Sequence, residues 1–312
     1  MLKNFVRIIL GCISAIIIYK ILKTYDFSIL KSITLERIII LSAIALLAIF
    51  TCFFYVKYIF QAFNIRLSFK KTILIFAVTQ IVSNLRGAFA GPLAIIYLRK
   101  SILGITYKIS LFISAIEVFI RFSILLSLSI IGALIIFGWK HTGVFLIASI
   151  IVGLLSLIFI KQLPATALFS IKGKKFRILS DILEFIKEKS VSINVKSLVS
   201  AIAISILVSL LNAVIFSILL NFFHYSRSIF LIWCINAMSL LVGIFSLIPF
   251  GLGTQDLTGL WLLMMVGIDK NSALSCILIS RFFVTIIPSA ISIILGNFLG
   301  WNTASLRNKI VG

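Results

Sequence analysis

Long apolar runs recur along the whole chain, and two of them are broken near the middle by glycine and proline. A run of about 20 apolar residues crosses the ~30 Å hydrocarbon layer of a bilayer as a helix. A break inside such a run frees backbone N–H and C=O groups that lipid cannot satisfy. It is tolerated only where protein buries it or a wet cavity adjoins it. The unbroken runs at 5–22, 37–56, 109–137, 143–160, 198–223 and 272–300 predict six full spans. The third and sixth are long enough to tilt or to project beyond the bilayer. The broken runs are 72–98, interrupted by S-N-L-R-G-A-F-A-G-P (Ser83 to Pro92), and 228–267, interrupted by I-P-F-G-L-G-T-Q-D (Ile248 to Asp256). Their second limbs, 92–98 and 257–267, are too short to cross. Both segments read as re-entrant helical hairpins, breaking at Gly87, Gly91 and Pro92 and at Pro249, Gly251 and Gly253. The expected fold is an all-α polytopic membrane protein, a single transmembrane domain over 1–312 with no soluble domain.

Composition agrees. The chain is 62% hydrophobic and 12% charged, too apolar for an aqueous globule. Its net charge of +21 suits a nucleic-acid binder, but the basic residues sit in the short polar gaps between apolar runs. That is the positive-inside pattern of a membrane protein, and it suits anionic headgroups, so lipids rather than nucleic acid are the expected partners. Cys12, Cys52, Cys234 and Cys276 lie singly in apolar runs, and His141 and His224 sit in separate loops. No metal-type spacing arises. No cofactor is expected. Lys3 and Arg7 ahead of the first apolar run resemble a signal peptide, but without a small-x-small cleavage site the run reads as an uncleaved span.

Charge sets the topology. With the N-terminus in the cytoplasm and both hairpins returning to the side they enter from, the inside holds residues 57–71, 99–108, the basic loop 161–197 and the tail with Arg307 and Lys309. The outside holds 23–36, 138–142 and 224–227, which are shorter and less basic. A full crossing by 72–98 would move the 161–197 loop outside, against the positive-inside rule. One hairpin then enters from each side, as an inverted repeat requires, dividing the chain into 1–142 and 143–312. Transporters bind substrate where two such broken segments meet. Within 161–197, Ile182, Phe185 and Ile186 suit one face of an interfacial helix.

Ionisable groups at membrane depth are costly and mark functional candidates. Here they are Arg86, Glu117, Arg121, Asp256 and Arg281. Glu117 and Arg121 are four apart and share a helix face, so they are placed to pair; such a pair either orients helices or serves function. Asp256, after P-F-G-L-G-T-Q, is placed to cap the short helix that follows or to meet a basic residue, a cation or a proton. Arg86, at the first break, has the planar fork that grips phosphate. Arg281 answers either Glu117 or Asp256. No G-x-S-x-G, H-E-x-x-H or phosphate-cradling G-x-x-x-x-G-K-[ST] is present, so an enzyme is not expected.

P-F-G-L-G-T-Q-D at 249–256 resembles the P-G-G-x-G-x-x-E motif of the flippase-like membrane family named after the lysylphosphatidylglycerol synthase transmembrane region. Asp256 stands at its acidic position and Phe250 replaces its first glycine. Gly267, Arg281, Pro288 and Gly296 fit the family's ending. Glu117 matches an acid usually followed by Arg, where this chain has Val118. G-P-L-A-I-I-Y-L-R-K at 91–100 resembles the region carrying G-E-x-x-R or G-G-E-P; Gly91 and Y-L-R-K agree, while the acid and the inner arginine are missing. The resemblance covers nearly the whole chain and implies handling of lipids across the membrane. The chain resembles the membrane half alone, without the soluble aminoacyltransferase domain of the fused synthases. The leading expectation is a translocase in the cell membrane for an anionic or aminoacylated phospholipid or a glycolipid, both termini cytoplasmic. Arg86 and Arg281 would meet phosphate, with Glu117 and Asp256 as gate or proton coupler. Alternatives are a broken-helix transporter of a small solute or ion, and a non-transporting scaffold for lipid or glycan enzymes. The topology predicts that single cysteines placed in 161–197 react with an impermeant maleimide only after the cytoplasmic side is opened; labelling from outside would overturn it.

Overall fold

The computed structural model describes residues 34–162, 193–245 and 253–299. The expected span 5–22, the connector around Ile182, Phe185 and Ile186, and Pro249 and Gly251 lie outside the described residues. The described backbone is helical, with short turns and no strand. In chain order the helices are α1 (Leu35–Ala62), α2 (Phe69–Leu103), α3 (Tyr107–Gln162), α4 (Val195–Phe222), α5 (Ile229–Phe245), α6 (Thr254–Met265), α7 (Lys270–Arg281), and, after a π-helical turn Phe282–Ile286, α8 (Ile287–Phe298). Four segments are long and apolar enough to cross a membrane: 35–62, 109–138, 195–222 and 270–298. The expected spans 37–56, 109–137, 198–223 and 272–300 match them within a few residues. The expected span 143–160 is helical too. It follows Gly138, whose φ of 70° and ψ of 177° break α3, a conformation open to glycine for want of a Cβ.

The centre of the molecule is the antiparallel pair α1 and α4. At one end Asn194 N–H donates to the Ala62 carbonyl (2.9 Å). At the other, the Arg37 guanidinium lies over the Phe222 ring, 4.5 Å from its centroid. Both helices are 28 residues long and lie 160 positions apart (195 less 35, 222 less 62). Their C-terminal turns repeat bond for bond. Phe63, Asn64 and Ile65 N–H donate to the carbonyls of Phe60, Gln61 and Phe60; Phe223, His224 and Tyr225 donate to those of Leu220, Asn221 and Leu220. Asn64 (φ 59°) and His224 (φ 64°) take the same left-handed conformation. A six-residue turn follows each helix before the next begins, at Phe69 and Ile229. Span, hairpin, span thus occurs twice, in opposite directions.

The second hairpin is direct. α5 and α6 pack against each other, with Gly243 opposite Gln255 and Gly259 opposite Ser239. At 17 and 12 residues they rise about 25 and 18 Å, short of a full crossing. Both outer ends lie at the Phe222 end of α4, because Asp269, just after α6, accepts the Tyr225 hydroxyl proton (2.6 Å) and caps α7 through the Asn271 and Ser272 N–H groups (2.9 and 3.0 Å). Burial alone would raise the Asp269 pKa; the hydrogen bonds from Ser272 and Tyr225 outweigh it and hold the carboxyl below its usual value.

The first hairpin is less obvious, because α2 is helical over all 35 residues, and the loss of helix expected at Gly87, Gly91 and Pro92 is not found. A straight helix of that length would separate its ends by about 50 Å. Yet Ile75 and Phe76, from its start, and Ile102 and Leu103, from its end, join one cluster with Phe60 and Phe63 at the Ala62 end of α1. Phe112, just beyond, stacks edge-on against Phe63 (5.4 Å). The two ends are therefore brought together, and the bend that this requires falls in the stretch that holds Gly87, Gly91 and Pro92.

The two hairpins enter from opposite faces. The Ala62 face carries exposed Lys57, Arg66, Lys70, Lys71, Lys100 and Lys196; the Phe222 face carries Glu36, Arg227, Asp269 and Lys270. The first limb of each hairpin packs against the closing span of the other repeat, α2 on α8 and α5 on α3. At the second junction Gly132 admits Cys234: an added Cβ would stand 2.8 Å from the Cys234 Cβ. Gly132→Val is expected to cost about 1–3 kcal/mol through overpacking, read as a lower unfolding temperature in detergent. Gly143→Val, which meets nothing within 4 Å, serves as the comparison and should shift far less.

Candidate functional site

Helix α2 continues past Leu98 by a further turn, so Arg99, which the sequence pattern places in a loop, is buried with only 1% of its side chain exposed. Its Nη2 donates to both Glu117 carboxylate oxygens (2.9 and 2.7 Å) and its Nη1 to Ser114 Oγ (3.1 Å). The guanidinium also lies 5.0 Å from the centroid of the Phe60 ring. Glu117 therefore pairs with Arg99 and not with Arg121, although the four-residue spacing puts Arg121 on its face. The reason is reach: α2 returns beside α3 and offers a cation across the helix interface. The signal for Arg99 was its spacing from Ile95 and Ile96, both buried, on one helical face.

The second pair joins Asp256 to Arg281, Nε to Oδ1, at 2.8 Å. Of the two partners open to Arg281, Asp256 is the one it takes. Asp256 is not the N-cap of α6. Gly253 is, at φ 86°, and Asp256 stands three residues on, its Oδ2 accepting the Gly253 N–H (3.1 Å). One carboxylate thus organises the hairpin turn with one oxygen and holds the last span with the other. Arg281 closes α7 where the π-helical turn begins. Pro288, early in α8, has no N–H to give, and the wider turn lets the span bend there. Both side chains remain 17% exposed, so this pair is the more accessible of the two.

Arg121 reaches across to α1, its guanidinium 5.3 Å from the centroid of the Tyr55 ring. Arg86 lies on the helical backbone between the limbs of α2, and its side-chain contacts lie outside the described residues. Counted along their spans, Arg121 and Arg281 are each about 16–18 Å from the start, close to mid-depth, while Glu117 is about 12 Å in. Each ion pair has the same construction: the returning limb of a hairpin supplies one partner and the span after it supplies the other, with the charges exchanged between repeats.

Breaking a buried pair by removing one partner costs about 3–5 kcal/mol, because the remaining charge has no compensation. Glu117→Leu is expected to lower the unfolding temperature strongly, and adding Arg99→Met to restore most of it. Simple additivity of the two losses in a thermal-unfolding cycle would show that the pair is not coupled.

No curated protein matches the chain. The family model described as the lysylphosphatidylglycerol synthase TM region matches residues 5–292, nearly the whole chain. The protein is therefore an integral membrane protein related to phospholipid handling, and it belongs to the lysylphosphatidylglycerol synthase transmembrane family.

Proposed function

We propose that the protein moves a lipid with an anionic or aminoacylated headgroup, or a glycolipid, between the leaflets of the cell membrane. The observation that carries this reading is the pair of hairpins entering from opposite faces, each pinned to the following span by an ion pair. Polar groups held at membrane depth mark substrate paths, and meeting hairpins of inverted repeats form substrate sites in transporters. The headgroup would travel between the hairpins while the acyl chains stay in lipid. Phosphate oxygens compete with carboxylates for guanidinium groups, so a passing headgroup would exchange places with Asp256 at Arg281, while the more deeply buried Arg99–Glu117 pair keeps the other side closed. The face rich in lysine is the cytoplasmic one on the positive-inside rule.

The inverted repeat equally suits a secondary transporter of a small solute or ion, and the two readings separate by assay. In proteoliposomes of the purified chain, fluorescent phosphatidylglycerol should become accessible to dithionite beyond the outer-leaflet half. Asp256→Asn and Glu117→Gln should each slow this at least about tenfold, the loss of one charge-assisted interaction. Flipping at the wild-type rate in both variants would refute the roles given to these acids. Uptake of a water-soluble substrate without lipid movement would favour the solute transporter.

A further inference from the structure

The two repeats match at one more place. Arg121 and Arg281 lie 160 positions apart (281 less 121), the offset that relates α1 to α4. Each lies on the span that follows the hairpin of its repeat, within about one turn of the corresponding position, since the residues opening those spans, Thr106 and Asp269, are 163 positions apart (269 less 106). Arg281 is neutralised by Asp256, from the returning limb of its own hairpin. The corresponding stretch of the first repeat contains no acid: residues 72–116 hold neither Asp nor Glu. The nearest carboxylate to Arg121 is Glu117, which Arg99 already holds with both oxygens occupied. Among the described side chains Arg99, Arg121 and Arg281 stand with Glu117 and Asp256, and the arginine left without an ion pair is Arg121.

Its surroundings differ from those of its counterpart as well. α4 and α7 pack closely, whereas α1 and α3 touch only lightly. Arg121 sits at that loosely packed boundary, surrounded by protein atoms yet with accessible surface. Tyr55 below it is buried and Cys52 lies nearby. Contact with the Tyr55 side chain orients the guanidinium, and no carboxylate among the described residues forms an ion pair with it. A lone cation at mid-depth is costly unless an anion joins it, and a guanidinium offers two parallel donors to an oxyanion.

We infer that Arg121 is the recognition residue of an oxyanion site at the boundary of α1 and α3, where a phosphate group neutralises the arginine as Asp256 neutralises Arg281 in the other repeat. A built-in carboxylate closes one repeat, and a ligand's phosphate closes the other. The ligand chemistry is a phosphate oxyanion, carried either by a lipid phosphodiester or by a free phosphate. This inference rests on reading the same region as a lipid path, but its test measures binding alone. A protein that binds and does not flip would sink translocation and leave the site standing.

The test is native mass spectrometry of the full chain in detergent, titrated with dioleoylphosphatidylglycerol and, in parallel, with dioleoylglycerol, which lacks the phosphate. The wild-type protein should retain the phospholipid and not the diacylglycerol. Arg121→Gln should weaken the first phospholipid adduct about tenfold to a hundredfold, the usual range for a charge-assisted hydrogen bond. Arg121→Met, similar in length and uncharged, serves if the glutamine variant does not accumulate. Displacement of the lipid by millimolar sodium phosphate would mark a free-oxyanion site; resistance to it would mark a lipid site. Undiminished phospholipid binding in either variant, or equal retention of diacylglycerol by the wild type, would overturn the assignment.

Discussion

Hydrocarbon offers no partner to a bare peptide group or a charge, and at the described hairpin turn and ion pairs protein groups supply one. The turn into α6 is closed by the Asp256 carboxylate on the Gly253 N–H. The π-helical turn after Arg281 stands just ahead of Pro288. Some hydroxyls return to their own helices, as when Ser239 donates to the Ile235 carbonyl and Ser289 to that of Thr285. The ionised groups follow the same logic, since Arg99 with Glu117 and Arg281 with Asp256 satisfy one another across helix boundaries. A short hairpin limb can lie at membrane depth here because a charge or a close helix contact holds it to the next span.

The repeated unit shows how that requirement is met from both sides. α1 and α4 cross the layer in opposite directions and share turns with the same hydrogen bonds. Each hairpin lodges against the closing span of the other repeat, so neither repeat is complete alone. Two apolar clusters result. One gathers the Ala62 half of α1 with the limbs of α2; the other gathers the Phe222 half of α4 with α5, α6 and α7. The repeats agree in backbone and differ in charge, and a symmetric scaffold with unequal charges can treat its two faces differently.

The candidate site was partly legible in the sequence. Asp256 and Arg281 stood out because charges are rare in apolar runs, and the Gly and Pro before Asp256 marked a turn. The partner of Glu117 is not legible in the sequence, since helical spacing identifies neighbours on one helix and is silent about a helix returning from elsewhere. Arg99 is hidden in the sequence for a related reason. It lies at the end of an apolar limb beside Lys100, where basic residues ordinarily meet headgroups, and only its burial against Phe60 and Ser114 separates it from the exposed lysine that follows.

By itself, the sequence determined that the chain is a bundle of membrane helices, where most spans begin and end, and that two apolar runs turn back. Those properties depend on local hydropathy and on the backbone freedom of Gly and the missing N–H of Pro, all written residue by residue. The tertiary structure alone decided which charges meet, that both ends of α2 pack at the Ala62 end of α1, and that Arg281 has a carboxylate partner while Arg121 has an aromatic one. These depend on which helices lie side by side, and two arginines of the same chemistry in similar apolar runs differ only in what the fold brings within reach.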